Sequence, residues 1–191
     1  MEEMMTKETI IAVRFTLLTT IIFGLLYPLG MTVISHYVFP KQAEGSLIRK
    51  NGQIVGSELI GQAFTQDKYF HPRPSAAGNG YDASSSSPSN LAPTNHQLID
   101  RVKGVVARLQ QENPGVPIPA DLVTTSGSGL DPDISPAAAA FQVPRVAKAR
   151  GMSVEAVQAF VASHTQARTY GFLGEPRVNV LELNLDLDSS K

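Results

Sequence analysis

Few stretches of this 191-residue chain bring together side chains that could do chemistry. The first is Thr124-Thr125-Ser126-Gly127-Ser128-Gly129. Glycine-rich backbone can turn consecutive N–H groups toward an anion and hydroxyls add donors, so Thr125, Ser126, Gly127, Ser128 and Gly129 form a candidate anion-binding loop. The loop has no Lys or Arg of its own, and Gly and Ser are equally the residues of ordinary turns. The second is Asp131-Pro132-Asp133, which could offer two carboxylates to a cation but reads more naturally as a turn with acids ahead of a helix. The four histidines, His36, His71, His96 and His164, are scattered and lack a partner at metal-ligand spacing, so no metal site is expected. A Gly-x-x-x-x-Gly-Lys-Ser/Thr phosphate loop is absent, and Ser126-Gly127-Ser128-Gly129 has the wrong spacing for a Gly-x-Ser-x-Gly elbow. With zero cysteines, thiol nucleophiles, disulfides and iron–sulfur ligation are excluded. No residue is nominated as catalytic.

The elements that must carry these residues divide sharply. Charged residues make up 17% of the chain, against roughly 25% in soluble domains, and the deficit is concentrated. Residues 15–40 contain no Asp, Glu, Lys or Arg. A bilayer core takes about 20 apolar residues in a helix, so 15–38 reads as a transmembrane helix. No small-x-small cleavage site follows, which argues for an uncleaved anchor rather than a signal peptide. Thr16, Thr20, Gly24 and Pro28 recur at every fourth position, and Thr32 continues the row. Small residues at this spacing permit close helix packing, and Pro28 should kink the helix. Lys7 and Arg14 precede the span while Lys41, Arg49 and Lys50 follow it, so charge does not orient the chain. Sixteen basic and seventeen acidic residues leave no electrostatic footprint for nucleic acid.

Beyond the span, Asn51-Gly52 between two short apolar runs predicts a β-hairpin. Residues 74–95 are rich in Pro, Gly, Ser and Asn, a composition of either a functional loop or disorder, with Tyr81 and Leu91 as potential anchors. Three helices are expected: from about Asn95 to Gln111 with Thr94 as N-cap, from Ser135-Pro136 to Arg150, and from Ser153 to Ser163. Leu181, Leu183, Leu185 and Leu187 alternate with polar residues, which predicts a closing half-buried strand. The fold expected is α+β: a single N-terminal transmembrane helix followed by one mixed α/β domain. From the residues alone the chain is a membrane-anchored accessory domain without a self-sufficient active site.

These residues also carry a resemblance. Tyr27-Pro28, Phe39-Pro40, Gly45-Ser46-Leu47-Ile48 and Leu59-Ile60-Gly61-Gln62-Ala63-Phe64 come first in order. Tyr69-Phe70-His71-Pro72-Arg73-Pro74-Ser75-Ala76, Ser89-Asn90-Leu91, Asp121-Leu122-Val123-Thr124 and Ser126-Gly127-Ser128-Gly129-Leu130-Asp131-Pro132 follow. Gln142-Val143-Pro144-Arg145-Val146-Ala147 and Val178-Asn179-Val180-Leu181-Glu182-Leu183-Asn184 complete a series that runs along nearly the whole chain. Together they resemble the C subunit of the Kdp-type potassium-transporting P-type ATPase. The serine tract Ser84–Ser87 departs from the more Gly-rich stretch expected there.

The resemblance implies a bacterial inner-membrane complex in which one subunit hydrolyses ATP and another conducts potassium. This chain would be a single-pass, non-catalytic subunit with residues 1–14 as a cytoplasmic tail, 15–38 in the bilayer and 39–191 outside. Its partners would be the channel-like subunit, the P-type catalytic subunit, which carries the phosphorylated aspartate, and membrane lipid. ATP and potassium would belong to the complex, with no cofactor bound by this chain alone. The family role is to aid assembly and raise ATP affinity as a catalytic chaperone, with Thr125–Gly129 as candidate nucleotide-binding residues. The alternative is a structural cap at the potassium entrance without nucleotide contact, which needs no protein to reach ATP across a bilayer. Tyr69, Phe70, Arg73, Pro74, Ser75, Ser89, Asn90 and Leu91 are then candidate partner contacts.

Overall fold

A computed structural model describes residues 2–190, so Met1 and Lys191, the outer limits of the expected tail and domain, lie outside the described residues. The chain forms two compact units, Met1–Leu47 and Ile48–Lys191.

The first unit is helical. Helix α1 (Glu2–Thr19) passes into a π-helical stretch, Thr20–Leu26, and resumes as α2 (Tyr27–Val38), followed by the short α3 (Pro40–Ala43). Helix therefore begins well before Phe15, where the apolar run starts. The candidate membrane span, Met5–Val38, is 34 residues long, and none of its most apolar window is buried. At 1.5 Å per residue it is about 50 Å long, more than the roughly 30 Å of a hydrocarbon core. Pro28 explains the π stretch: it has no N–H to donate, and its ring would strike the carbonyl four residues back. The chain relieves this by widening, and the Tyr27 N–H reaches the Ile22 carbonyl, five residues back.

In the second unit, helices and short strands mix as the α+β expectation required. Strands β1 (Leu47–Lys50) and β2 (Gln53–Ser57) pair across Asn51-Gly52. Both turn residues have positive φ, 52° and 80°, as a two-residue hairpin turn needs. Helix α4 (His96–Glu112) is capped by Asn95, whose side chain accepts from the Gln97 N–H, one residue after the expected Thr94. Strand β3 (Asp133–Ile134) leads into α5 (Pro136–Arg150), and α6 (Val154–Ser163) follows. Ser135 and Ser153 cap these two helices, and Gly151 ends α5 in the left-handed region, as the sequence predicts.

Strands β4 (Thr165–Gln166) and β5 (Arg177–Asn179) join β3 in an antiparallel sheet ordered β3-β5-β4. Residues 180–189 then form helix α7 (Val180–Ser189) instead of the expected strand. Asn179 is the reason for the break: its side chain accepts from the Glu182 N–H and starts a helix. Val180, Leu183, Asn184 and Leu187 then form one buried face at helical spacing. Reading Asn184 as a solvent-facing polar residue is what made the segment look alternating.

The core gathers Phe70, Ile134, Phe141, Val143, Val146, Val157, Val178, Leu183 and Leu187. Phe70 sits at its centre on a segment, residues 67–75, with neither strand nor helix. Its backbone is satisfied by side chains. The Phe70 N–H donates to Asn184 Oδ1 at 2.8 Å, and Asn184 Nδ2 donates to the Phe70 carbonyl at 2.9 Å. On α5, Gln142 Oε1 accepts the His71 N–H at 2.7 Å, and Gln142 Nε2 donates to the His71 carbonyl at 3.0 Å. Each amide thus satisfies one residue's N–H and C=O, as a facing residue does in an antiparallel ladder.

Replacing Asn184 with Leu removes both hydrogen-bond partners of the buried Phe70 backbone. Each orphaned group costs about 1–3 kcal/mol, so Asn184→Leu should lower unfolding stability by about 2–6 kcal/mol. Denaturant unfolding of the purified chain in detergent, with exposed Gln158→Leu as control, reads this directly. Equal stability of the two variants would refute the role assigned to the amide.

Candidate functional site

The side-chain clamp continues beyond the two amides. The Arg145 guanidinium donates to Glu112 Oε1 at 2.8 Å, to the Asp67 and Tyr69 carbonyls at 2.6 and 2.9 Å, and to Gln142 Oε1 at 2.7 Å. Arg150 donates to the Lys68 and Leu187 carbonyls and pairs with Asp188 at 2.9 Å. The Tyr69 hydroxyl donates to the other Asp188 oxygen at 2.9 Å, and the Arg150 guanidinium lies over the Tyr69 ring. Sequence reasoning assigned no role to Gln142, Arg145, Arg150, Asn184 or Asp188. The available signal was a polar amide inside an apolar helix face, at Gln142 among Ala138, Ala139, Val143 and Val146, and again at Asn184.

This clamp aims the next segment at the candidate loop. Arg73 donates to Asp131 Oδ2 at 2.9 Å and to the Thr125 carbonyl at 3.4 Å. The Ser75 hydroxyl donates to the Gly129 carbonyl at 2.6 Å and accepts from the Tyr81 N–H at 2.8 Å. The Tyr81 hydroxyl donates to the Arg73 carbonyl. Ser86 donates to the Ser128 carbonyl and Ser87 to the Ala76 carbonyl, at 2.9 and 3.1 Å. Ser75 and Ser86 therefore tie residues 75–87 onto 124–130, while Tyr81 and Ser87 brace that loop internally, so this part of the segment is an ordered loop. Gly129 fixes the docking: its φ is +69°, and a Cβ there would sit 2.6 Å from the Ser87 carbonyl oxygen. Gly61 does the same on the other side, donating to the Leu130 carbonyl where a Cβ would lie 2.5 Å from the Asp131 carbonyl oxygen.

Within the loop, the Gly129 N–H donates to the Ser126 carbonyl and the Leu130 N–H to Ser128 Oγ. Ser126 is buried, Thr125 half-buried, and Gly127 and Ser128 are exposed. Arg73, brought from a distant part of the sequence, is the cation beside this loop, and Asp131 neutralises it. Asp131 also accepts from the Asp133 N–H at 3.1 Å, but Asp133 opens strand β3, so Asp131-Pro132-Asp133 leads into a strand and not into the expected turn with helix-start acids.

The candidate partner residues have different fates. Phe70 is wholly buried, and Arg73 and Ser75 are engaged inside the unit. Tyr69, Pro74, Ser89 and Leu91 are half-buried, and Asn90 is exposed with φ of 51°.

In the candidate membrane span, a row of every fourth residue drifts by about 40° per step when the helix is α. A π turn takes roughly 4.4 residues, so four residues fall about 30° short of a revolution. The π stretch Thr20–Leu26 therefore cancels the drift between Thr16 and Gly24. Thr16, Thr20, Gly24 and Pro28 stay close to one line, more nearly straight than the sequence spacing alone implied. Thr32 returns its hydroxyl to the Pro28 carbonyl at 2.8 Å and so adds no unsatisfied donor.

The charged groups are tuned by the same contacts. Burial pushes His71 below its usual range, and the Arg145 and Arg108 charges push the same way against a hydrogen bond to the Gln66 carbonyl. Burial raises the Asp133 carboxyl, opposed by Arg177 at 3.1 Å. Burial would also raise Asp188, but the Arg150 and Tyr69 hydrogen bonds outweigh it and hold that carboxyl low. Burial, then the Asp131 charge, pushes the Tyr81 phenol up. Among the described residues no group of three or more His, Cys, Asp or Glu is placed to hold a metal.

Comparison with known proteins gives consistent matches. A family profile described as KdpC, K+-transporting ATPase, c chain, matches residues 9–189. A potassium-transporting ATPase KdpC subunit of Rhodopseudomonas palustris (strain BisB18) is 56% identical over 199 residues, covering 98% of this chain and 100% of the relative. One from Koribacter versatilis (strain Ellin345) is 56% identical over 187 residues, covering 98% and 97%. One from Caulobacter vibrioides (strain NA1000 / CB15N) is 59% identical over 173 residues, covering 90% and 88%.

The lowered His71 pKa sets a pH dependence. Below pH 6.5 the unfolded chain binds a proton that the folded chain resists, so stability is full above that value and falls as pH drops through it. As pH falls through 6.5 the chain should lose stability, and His71→Gln should remove most of that slope. Unfolding midpoints across this fall in pH test it, and an unchanged slope in His71→Gln would contradict it.

Proposed function

We propose, on the premise that this chain belongs to the KdpC family of K+-transporting ATPase c chains, that it is the non-catalytic accessory subunit of an ATP-driven potassium uptake complex. It stabilises the assembly and raises the ATP affinity of the subunit that hydrolyses ATP. The observation that carries the assembly role is the helix Met5–Val38, whose apolar side chains find no cover within the chain. Such a helix needs lipid and partner helices, and the straightened row Thr16, Thr20, Gly24 and Pro28 is the face on which a partner helix packs closely. The helix crosses the cytoplasmic membrane once, with the N-terminus inside and the domain from residue 39 onward outside.

A domain on that side cannot touch cytoplasmic ATP. The local chemistry of Thr125, Ser126, Gly127, Ser128 and Gly129 supports the same reading, because Arg73, the neighbouring cation, is already neutralised by Asp131. The effect on ATP affinity therefore passes through partner subunits. Tyr69, Pro74, Ser89, Asn90 and Leu91 lie on or near the surface that caps the channel-like subunit at the potassium entrance.

Two experiments test this. The chain lacks cysteine, so Ser128→Cys and Ser163→Cys each introduce a single thiol. In intact cells an impermeant thiol reagent should label both, and the labelled Ser128→Cys complex should keep its KM for ATP. Labelling only after lysis would overturn the orientation, and a KM raised about tenfold or more would restore direct nucleotide contact. In the membrane, Gly24→Leu should loosen the complex in detergent, and unchanged co-purification would refute the packing face.

A further inference from the structure

The loop between β4 and β5 exposes more apolar surface than the rest of the domain leads one to expect. Tyr170 is 85% exposed, Phe172 70% and Leu173 50%. The loop is not slack. The Thr169 and Leu173 backbones exchange two hydrogen bonds, each 2.9 Å, and the Gly171 N–H donates to the Arg168 carbonyl at 3.0 Å. Tyr170, Gly171 and Gly174 hold positive φ, and Arg168 pairs with Glu175 at 2.6 Å across the base. The result is a braced tip that holds two aromatic rings and a leucine in water. Large apolar side chains grouped on a rigid surface feature mark a binding site, and pre-organisation lowers the ordering cost of binding.

The choice of occupant follows from charge and area. The nearby cations are already paired, Arg168 with Glu175 and Arg177 with Asp133, so the tip has no free positive charge to draw it to anionic headgroups. An uncharged apolar pocket on a protein complements it better. The three side chains offer roughly 400–500 Å², so a symmetric contact between two tips would bury under about 1,000 Å², short of the 1,200 Å² or more of a stable interface. A partner already held by the membrane helix does not need that area, because tethering makes the second contact effectively intramolecular.

We propose that the tip Tyr170–Leu173 is an aromatic anchor that inserts into an apolar pocket on another subunit of the same complex. The inference rests on the reading of this chain as a complex subunit and adds the contact that aligns its domain. Buried aromatic anchors dominate binding at such interfaces, so the tip acts as its energetic centre while half-buried residues elsewhere supply shape.

The test uses the assembled complex. A photo-crosslinking p-benzoylphenylalanine replaces Tyr170 in one variant and Val116, exposed elsewhere on the domain, in a second. Illumination should give an adduct between this chain and another subunit from position 170 and none from 116. A third variant combines Tyr170→Ser, Phe172→Ser and Leu173→Ser, which leaves the core untouched, and should retain about tenfold less of the partner subunits after detergent washing. An adduct only with lipid, an adduct only with a second copy, an equal adduct from position 116, or no adduct from a complex that co-purifies intact would each overturn the anchor. If the unaltered chain brings down no other subunit, the complex-subunit reading fails instead, and the anchor with it.

Discussion

The second unit depends on an extended segment that has no sheet to belong to. Within residues 67–75 Phe70 is fully enclosed, and a backbone there must find hydrogen-bond partners or lose several kcal/mol. The partners come from side chains: Asn184 on α7 takes Phe70, Gln142 on α5 takes His71, and Arg145 and Arg150 take the carbonyls just before them. Two helices remote in sequence are thereby fixed against one strand-like segment. Because that segment continues into Arg73 and Ser75, the same clamp sets where the Ser-rich loop meets Thr124–Leu130.

Local signals were legible where a single residue type decides the local conformation. Ser135-Pro136, Ser153, Gly151 and Asn51-Gly52 each act within a few residues, and each gave the structure that its chemistry predicts. The closing segment was not legible, because alternation and helical periodicity differ only in how Asn184 is counted. Its burial depends on Phe70, more than a hundred residues away. The candidate loop is glycine-rich and has no Lys or Arg of its own. Its actual neighbour, Arg73, and that neighbour's neutralisation by Asp131 exist only in three dimensions.

The long apolar helix, Met5–Val38, shows the same division. Its apolar length follows from composition, and the disturbance at Pro28 follows from a missing N–H. That the disturbance takes the form of a π stretch, and so straightens the row from Thr16 to Pro28, could not be read from four-residue spacing. The chain thus exposes two kinds of surface, an unburied apolar helix and a braced domain surface. The chain belongs to the family of K+-transporting ATPase c chains.

Amide hydrogen exchange on the isolated chain in detergent tests the clamp most directly. The account predicts that the Phe70 and His71 amides exchange as slowly as those in the middle of α5 and α7, opening only with global unfolding, with the loop amides of Ala77 and Tyr81 protected beside them. Fast exchange at Phe70 and His71 while α5 and α7 stay protected would contradict it, since the segment would then open independently of the helices said to hold it.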